Sequence, residues 1–557
     1  YATYSRSSAE AECLDERRPI STATGRDMAL TEGYTDVTVA SALATRATSD
    51  PGSAYLRFRD RVVTYGEVER DAEALAAALA NLGVEAGDRI ALVLPPCPEF
   101  AVSMFAAAKL GATIVPLNPR LTLSELQYML RHSETVCAVT VEHAFGVDYL
   151  QLFEDLMPQL PELQYLVTVG EEDLWYDDRI FQFEDLISVG GGRDFPASVP
   201  DPVGGCFAIV YTSGTMGKPK GVELSHANLM HAAAGTAEAL GLKSSDRMIG
   251  VTALFHVFGL APGLLSTLLA GASIVLQEEA DGASTLDLAE RHKATVHYGI
   301  PTLFVSELAL LAARRRNLSA LRLAVLAGAP TNDDLVTRIA DEMGVVVLNA
   351  YSLAETASTL SVSRAADPPE KRRFTVGRPL ASTEVRITEA GDELPVESVG
   401  EIGVRGPGVM LRYYRQPQET ARAYDADGYY LTGDLGIVDE EGYLHLVGRR
   451  KTVIIRSGFN VYPREVETRI ESHPAVREVA VVGVADPLLG EAICACIVPV
   501  EGAIVTGHEI VDWCRETLAE DKVPDLVRFL DALPRTDTNE VRRVELSRLV
   551  QSESKSS

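Results

Sequence analysis

Tyr211 to Gly221 reads YTSGTMGKPKG and follows Phe207–Val210, an apolar run suited to a buried strand. Gly214, Gly217 and Gly221 carry no Cβ, so the backbone can turn tightly there and aim its N–H groups at a common point. Thr212, Ser213 and Thr215 add hydroxyl donors, and Lys218 and Lys220 add positive charge. Amides, hydroxyls and ammonium groups on one short loop after a strand suit the oxygens of a phosphate chain. The loop is not a Walker A motif. Only two residues separate Gly214 from Gly217, and Pro219 follows Lys218 where that motif carries Ser or Thr. A flexible surface loop would also be polar and glycine-rich, but it has no need of this density of hydroxyls and lysines.

Outward from the loop, helical and strand patterns alternate. Tyr65–Leu82 is rich in Ala and Leu at helical spacing, with Gly83 as a stop. The apolar run Arg89–Leu94, a helical Phe100–Leu110 and a strand at Thr113–Pro116 follow, and strand-like runs recur at Ala272–Leu276, Thr295–Tyr298, Leu323–Ala327 and Val345–Leu348. This alternation predicts an α/β fold with buried, mostly parallel sheets. From about Ser382 the texture changes to short runs between Gly and acidic turns, at Glu384–Ile387, Gly400–Arg405, Gly436–Asp439 and Tyr443–Val447, which predicts an antiparallel β subdomain. Beyond Lys451 come an amphipathic segment, Pro463–Ser472, strands near Val476–Val484 and Ala492–Val500, and a helix over His508–Leu518. That α+β unit of roughly 100 residues is large enough to fold alone. The expected organisation is an N-terminal extension or tag (1–36), a large multi-subdomain domain (37–450), a small mobile domain (451–546) and a tail (547–557).

The chain has 557 residues, too many for one ordinary core. Its 51 basic and 79 acidic residues give a formal charge of −28, which disfavours a general nucleic-acid or anionic-membrane binder. Cys13, Cys97, Cys137, Cys206, Cys494, Cys496 and Cys514 form no Cys-x-x-Cys pair and suit reduced thiols in a cytoplasmic protein, without disulfides or zinc. Leu254–Leu276 carries no formal charge and is long enough to span a bilayer, but Gly259, Pro262, Gly263 and Gly271 interrupt it. A buried helix and a core strand are expected there instead.

Three further segments, in order, make a family recognisable. The loop Thr212–Gly221 resembles the TSGTTGxPKG signature of the adenylate-forming superfamily, which holds acyl- and aryl-CoA synthetases, peptide-synthetase adenylation domains and luciferases; Met216 replaces a threonine. Asn349–Thr356, NAYSLAET, looks like that family's YGxTE segment, with Ser352 for its glycine and Ala354 for its threonine. Tyr429–Glu467, YYLTGDLGIVDEEGYLHLVGRRKTVIIRSGFNVYPREVE, matches the family pattern over almost its whole length, and the pattern is closest to acyl-CoA ligases. The resemblance covers roughly residues 37–546.

It implies ATP, Mg2+ and CoA as the small molecules handled, together with a small acid or aromatic substrate. Thr212, Ser213, Gly214, Thr215, Gly217 and Lys218 would hold phosphates, with Lys220 and Thr215 active in the chemical step. Tyr351 would lie near the adenine, and Glu355 with Thr215 would hold magnesium, a hard cation suited to oxygen ligands. Asp434 would accept the ribose hydroxyls, a role for a two-oxygen acceptor, and Arg449 would reach the ribose or phosphate. Phe255, His256, Gly328, Ala329, Pro330 and Asn349 would line the acid pocket, although a lone histidine in an apolar run is often only a core residue. Tyr298 reads as core. Lys451 would be the hinge, and Ser457, Gly458 and Phe459 would belong to a loop brought in when the small domain rotates. Self-association into a homo-oligomer is left open.

The family usually ends in PxTxxGKxxR, whose lysine meets the substrate carboxylate and the α-phosphate. Here Leu533–Arg543 reads LPRTDTNEVRR, and Pro534, Thr536, Thr538 and Arg543 fix the register. Asn539 replaces the glycine and Glu540 replaces the lysine, reversing the sign of a group that stabilises phosphate charge. Three outcomes stay open from sequence: an acid–CoA ligase with slow adenylation, an adenylate-forming enzyme with another outcome such as a nitrite-using diazotase of aromatic amines, or an impaired nucleotide-binding homologue.

Overall fold

The computed structural model describes residues 36–554 apart from 173, 175–176, 197–199, 213–218, 252, 280, 329–332, 390, 457–458, 487–488 and 537–539. The helix Tyr65–Leu82 forms where the pattern places it because both ends are specified. Thr64 and Glu67 exchange hydrogen bonds in a capping box at its start, and Gly83, at φ 103°, closes it in the left-handed region. Its small side chains let it pack against Pro98–Leu110, which is buried almost all round.

These helices cover an eight-stranded sheet in the order Arg412–Tyr413, Lys220–Ser225, Cys206–Thr212, Thr113–Pro116, Arg89–Val93, Cys137–Val141, Tyr165–Val169 and Ile180–Gln182. Its strands run parallel from Cys206–Thr212 onward, whereas Cys206–Thr212 and Lys220–Ser225 are antiparallel, with Tyr211 opposite Gly221 and Thr212 opposite Lys220. The phosphate segment therefore joins two hydrogen-bonded antiparallel strands. A nine-stranded sheet has a parallel centre, in which Val296–Gly299, Leu323–Leu326 and Val346–Leu353 are neighbours, and Val346–Leu353 pairs antiparallel with Ser358–Val362.

The long uncharged stretch is buried, as expected: Gly259–Leu265 is a wide helical turn around Pro262, Ser266–Ala270 is helical, and Ser273–Val275 is a strand. A Cβ on Gly259 would come within 2.3 Å of the Ala253 carbonyl oxygen, so that crossing needs glycine. Among the described residues no helix is long and apolar enough to cross a membrane.

The β subdomain is a five-stranded antiparallel sheet, Asp392–Glu393, Glu384–Glu389, Gly400–Arg405, Tyr430–Val438 and Leu444–Arg449. One strand differs from expectation. It starts at Tyr430 rather than Gly436, because Gly433 (φ 75°) and a register shift between Leu435 and Gly436 break the two-residue period that would have marked it.

In the C-terminal part, alternation along Val476–Asp486 and Gly490–Pro499 feeds two cores. Val479, Val481, Ile493, Ala495 and Ile497 face Pro463–Glu471 and Gly507–Arg515. Ala480, Val482, Cys494, Cys496 and Val498 face Arg543–Ser554. The two cysteines thus share one strand face, with Sγ atoms 4.0 Å apart. Cys97, Cys137, Cys206, Cys494, Cys496 and Cys514 are all unbridged.

Candidate active site

The most completely built corner is the one assigned to the ribose. Asp434 and Arg449 face each other across the ladder between Tyr430–Val438 and Leu444–Arg449, which sets the Arg449 Nε 3.1 Å from Asp434 Oδ1. Tyr351, the last buried residue of Val346–Leu353, donates its Oη to Asp434 Oδ2 at 2.5 Å. Asp434 is buried, and burial holds its carboxyl above the ordinary aspartate range against the pull of Arg449 and Tyr351, with Glu355 adding to the upward push. Burial pushes the Arg449 guanidinium down, but Asp434 first and Glu540 next more than restore it. The Tyr351 phenol is raised by burial and then by Asp434, so it stays a donor.

At the phosphate end, Thr212 and Lys220 stand opposite each other where the hairpin opens. Lys220 Nζ lies 4.0 Å from the centroid of the Tyr413 ring and 3.9 Å from Glu419 Oε2. Glu355 sits in the single helical turn Ala354–Thr356, its carbonyl oxygen held by the Met410 N–H at 2.8 Å and its Oε1 by the Tyr413 Oη at 2.8 Å. Ser213, Gly214, Thr215, Met216, Gly217 and Lys218 lie outside the described residues.

Magnesium can be tested against these groups. Glu355 Oε2 has no hydrogen-bond partner among the described residues. No group of three or more His, Cys, Asp or Glu is gathered to hold a metal among them. A single carboxylate with an open oxygen suits magnesium, which keeps waters and takes most of its other ligands from substrate phosphates.

The residues assigned to the acid pocket lie as follows. His256 accepts the Phe258 N–H at its Nδ1, and burial drops its pKa to about 4, so it is neutral at physiological pH with the proton on Nε2. Phe255 precedes it and is half-buried. Tyr298 is fully buried, as expected of core, with its ring edge-on to Phe258 at 4.7 Å and its Oη unpaired among the described residues. Gly328, at φ 83°, ends the strand Leu323–Leu326; Ala329 and Pro330 lie outside the described residues. Asn349 is committed elsewhere in part. Its Nδ2 donates to the Arg372 carbonyl at 2.8 Å, bracing the helix Pro369–Phe374, and only Oδ1 is left unpaired.

Glu540 sits in a tight return of chain. Thr536 N–H donates to the Glu540 carbonyl at 2.7 Å, Glu540 N–H donates to Thr536 Oγ1 at 3.0 Å, and Arg535 pairs with Val541. Arg543 anchors this hairpin through the buried Glu467, at 2.6 Å, and the Val481 carbonyl. The Glu540 charge adds to the upward push on Arg449. Next in the chain after Arg449 is the short turn Arg450–Thr452, which contains Lys451. Arg450 Nη1 lies 2.6 Å from Glu401 Oε2, while Glu401 Oε1 accepts the Gly433 N–H at 3.1 Å. Ser457 and Gly458 lie outside the described residues.

Two contributors were not visible in sequence. Tyr413 is signalled only by its place among Arg412, Tyr414 and Arg415, and Glu401 only by being an acid in a strand whose other residues are mostly apolar or glycine.

A paired buried carboxylate, Asp434, and a second one, Glu355, close enough to influence one another, form with Lys220 a candidate nucleotide site. The chain belongs to the AMP-binding enzyme family, which matches residues 43–414, and the family's C-terminal domain matches residues 465–539. It is 33% identical to a putative acyl-CoA synthetase, YngI, of Bacillus subtilis, over 87% of this chain and 91% of that one. It is 34% identical to a feruloyl-CoA synthase of an Amycolatopsis species, over 90% and 97%. Among solved structures, the anthranilate CoA ligase AuaEII in complex with anthranoyl-AMP superimposes with a TM-score of 0.84 at 26% identity, covering 93% of this chain and 98% of that one. The o-succinylbenzoate CoA synthetase of Bacillus subtilis, with ATP and magnesium bound, gives 0.78 at 29% identity over 91% and 98%. The chain is an ATP-dependent, AMP-forming ligase of the acid–CoA type, using ATP, Mg2+ and CoA. These likenesses do not favour the nitrite-using alternative.

Proposed function

We propose that this ligase activates a small fatty or aromatic carboxylic acid at the Asp434–Glu355–Lys220 site and passes the acyl group to CoA. The observation that carries it is the joint placement of a paired ribose carboxylate, Asp434, and a half-engaged metal carboxylate, Glu355, beside Lys220. A substrate carboxylate oxygen bonds to the α-phosphorus of ATP while the bond from that phosphorus to the bridging oxygen breaks, and pyrophosphate leaves with the electron pair. The CoA sulfur then attacks the acyl carbon and AMP departs. Asp434 and Tyr351 fix the nucleoside, Lys220 meets the phosphate charge, and neutral His256 stands at the acid pocket. Magnesium, when bound on Glu355, neutralises phosphate charge. The small domain turns about Arg450–Lys451 between the two steps, a lid-type motion. Six unbridged thiols among the described residues suit a reducing, cytoplasmic setting.

Glu540 occupies the place of the family's lysine and supplies no cation to the α-phosphate, so adenylation runs on Lys220 and magnesium and is slow. The test is pyrophosphate release and thioester formation across benzoic, cinnamic and medium-chain fatty acids, with and without CoA. CoA-dependent thioester from at least one acid is the expected result. Pyrophosphate only with nitrite and an aromatic amine, or none from any substrate despite ATP binding, would overturn the proposal.

A further inference from the structure

Lys220 and Glu355 carry opposite charges, and each must remain available to a partner of the other sign: phosphate for the lysine, magnesium for the carboxylate. Left in contact they would neutralise one another. Between them stands Tyr413. Its ring face lies under the Lys220 ammonium, 4.0 Å from the ring centroid, and its Oη donates to Glu355 Oε1 at 2.8 Å. The ring attracts the cation without consuming it, because an aromatic face is a weak partner compared with a carboxylate, and Glu419 Oε2 stands off at 3.9 Å. The hydroxyl uses one carboxylate oxygen and leaves Oε2 open.

The ring is held stiffly enough to do this. Tyr413 belongs to a two-residue strand, Arg412–Tyr413, paired with Lys220–Ser225 so that Tyr413 faces Val222. Its own N–H donates to Thr420 Oγ1 at 3.0 Å, and the neighbouring Leu411 and Tyr414 N–H groups donate to the Glu223 and Gly221 carbonyls at 2.9 and 2.7 Å. Glu355 is braced through the same segment, since Met410 N–H holds its carbonyl and Tyr424 Oη holds the Met410 carbonyl at 3.0 Å.

We propose that Tyr413 is a positioning residue that holds Glu355 and Lys220 apart, aiming the carboxylate at magnesium and the ammonium at phosphate. It rests on the roles given to Glu355 and Lys220 above. The two functions of the side chain separate in two variants. Tyr413→Phe keeps the ring and loses the hydroxyl; Tyr413→Leu loses both.

The test is calorimetric titration of ATP into the full chain, first without Mg2+ and then over a series of Mg2+ concentrations, with thermal melting to confirm folding. For Tyr413→Phe the Mg2+ midpoint for enhanced ATP binding rises about tenfold, the size of one lost hydrogen bond to a charged group, while Mg2+-free affinity stays within about twofold. For Tyr413→Leu the Mg2+-free affinity also falls, about tenfold, because Lys220 closes on Glu355. An unchanged Mg2+ midpoint in Tyr413→Phe, or an equal loss with and without Mg2+, overturns the proposal. Glu355→Gln separates the two levels. If it leaves the midpoint unmoved, the role of Glu355 itself has failed and the proposal falls with it; if it moves the midpoint and Tyr413→Phe does not, only the role of Tyr413 has failed.

Discussion

The corner around Asp434 and the position of Glu540 both act on Arg449, and they are built on opposite plans. At the corner, both oxygens of Asp434 are taken before any ligand arrives, by Tyr351 and Arg449, and the strand ladder fixes the geometry. Glu540 acts on the same arginine as a second anion, and among the described residues its backbone is held by Thr536. On the function proposed above, the first region is preorganised to hold a nucleotide, and the second carries Glu540 where a cation would act on the reacting phosphate.

The largest expected effect breaks the corner. Asp434→Ala removes two hydrogen bonds to charged or ribose groups and strands Arg449 and Tyr351, and ATP affinity by calorimetry should fall on the order of 100-fold, about 3 kcal/mol. If it falls less than tenfold, the corner is not the ribose site. Glu540→Lys should raise pyrophosphate release with the preferred acid by roughly 10- to 100-fold, the usual weight of one transition-state donor, while ATP affinity shifts much less. A rate that stays level or drops would remove the contrast between the two regions.

A smaller effect is read in pH. Since burial holds Asp434 above the ordinary range, it takes up a proton while exposed aspartates are still ionised. ATP affinity should therefore begin to fall as pH is lowered towards that range, and Asp434→Asn should abolish the dependence; a variant that titrates like wild type would point to another group. The smallest effect concerns His256. With a pKa of about 4, it is uncharged across pH 5–8, so His256→Gln should leave the shape of the rate–pH profile unchanged there while altering its height a fewfold. A shift in the profile's midpoint would show that His256 titrates during catalysis.

Much of the scaffold was legible because its signals are local. Tyr65–Leu82 announces itself through Thr64, Glu67 and Gly83, and Gly400–Arg405 and Thr113–Pro116 appear at their expected bounds. The strand from Tyr430 was half hidden because a bulge and a left-handed glycine erase its periodicity. The candidate nucleotide residues were assigned by likeness rather than by pattern, and two of them, Asp434 and Arg449, do meet as a pair. What sequence did not disclose were the partnerships. Tyr413 and Glu355 are 58 positions apart, and Glu401 and Arg450 are 49 apart, so no local spacing marks them. Asn349 shows the converse, a residue assigned to substrate whose amide is spent on a neighbouring helix end.

Glu401 gives the hinge a mechanical character. One of its oxygens grips Arg450 and the other grips Gly433, the residue just before Asp434, so the pivot and the ribose loop hang from a single nearly buried group. A swing that draws Arg450 away leaves that carboxylate with half its support, which is costly for a charge out of water. A hinge turning where it is proposed above would therefore have a catch, a definite stop fastened to the residue just before Asp434.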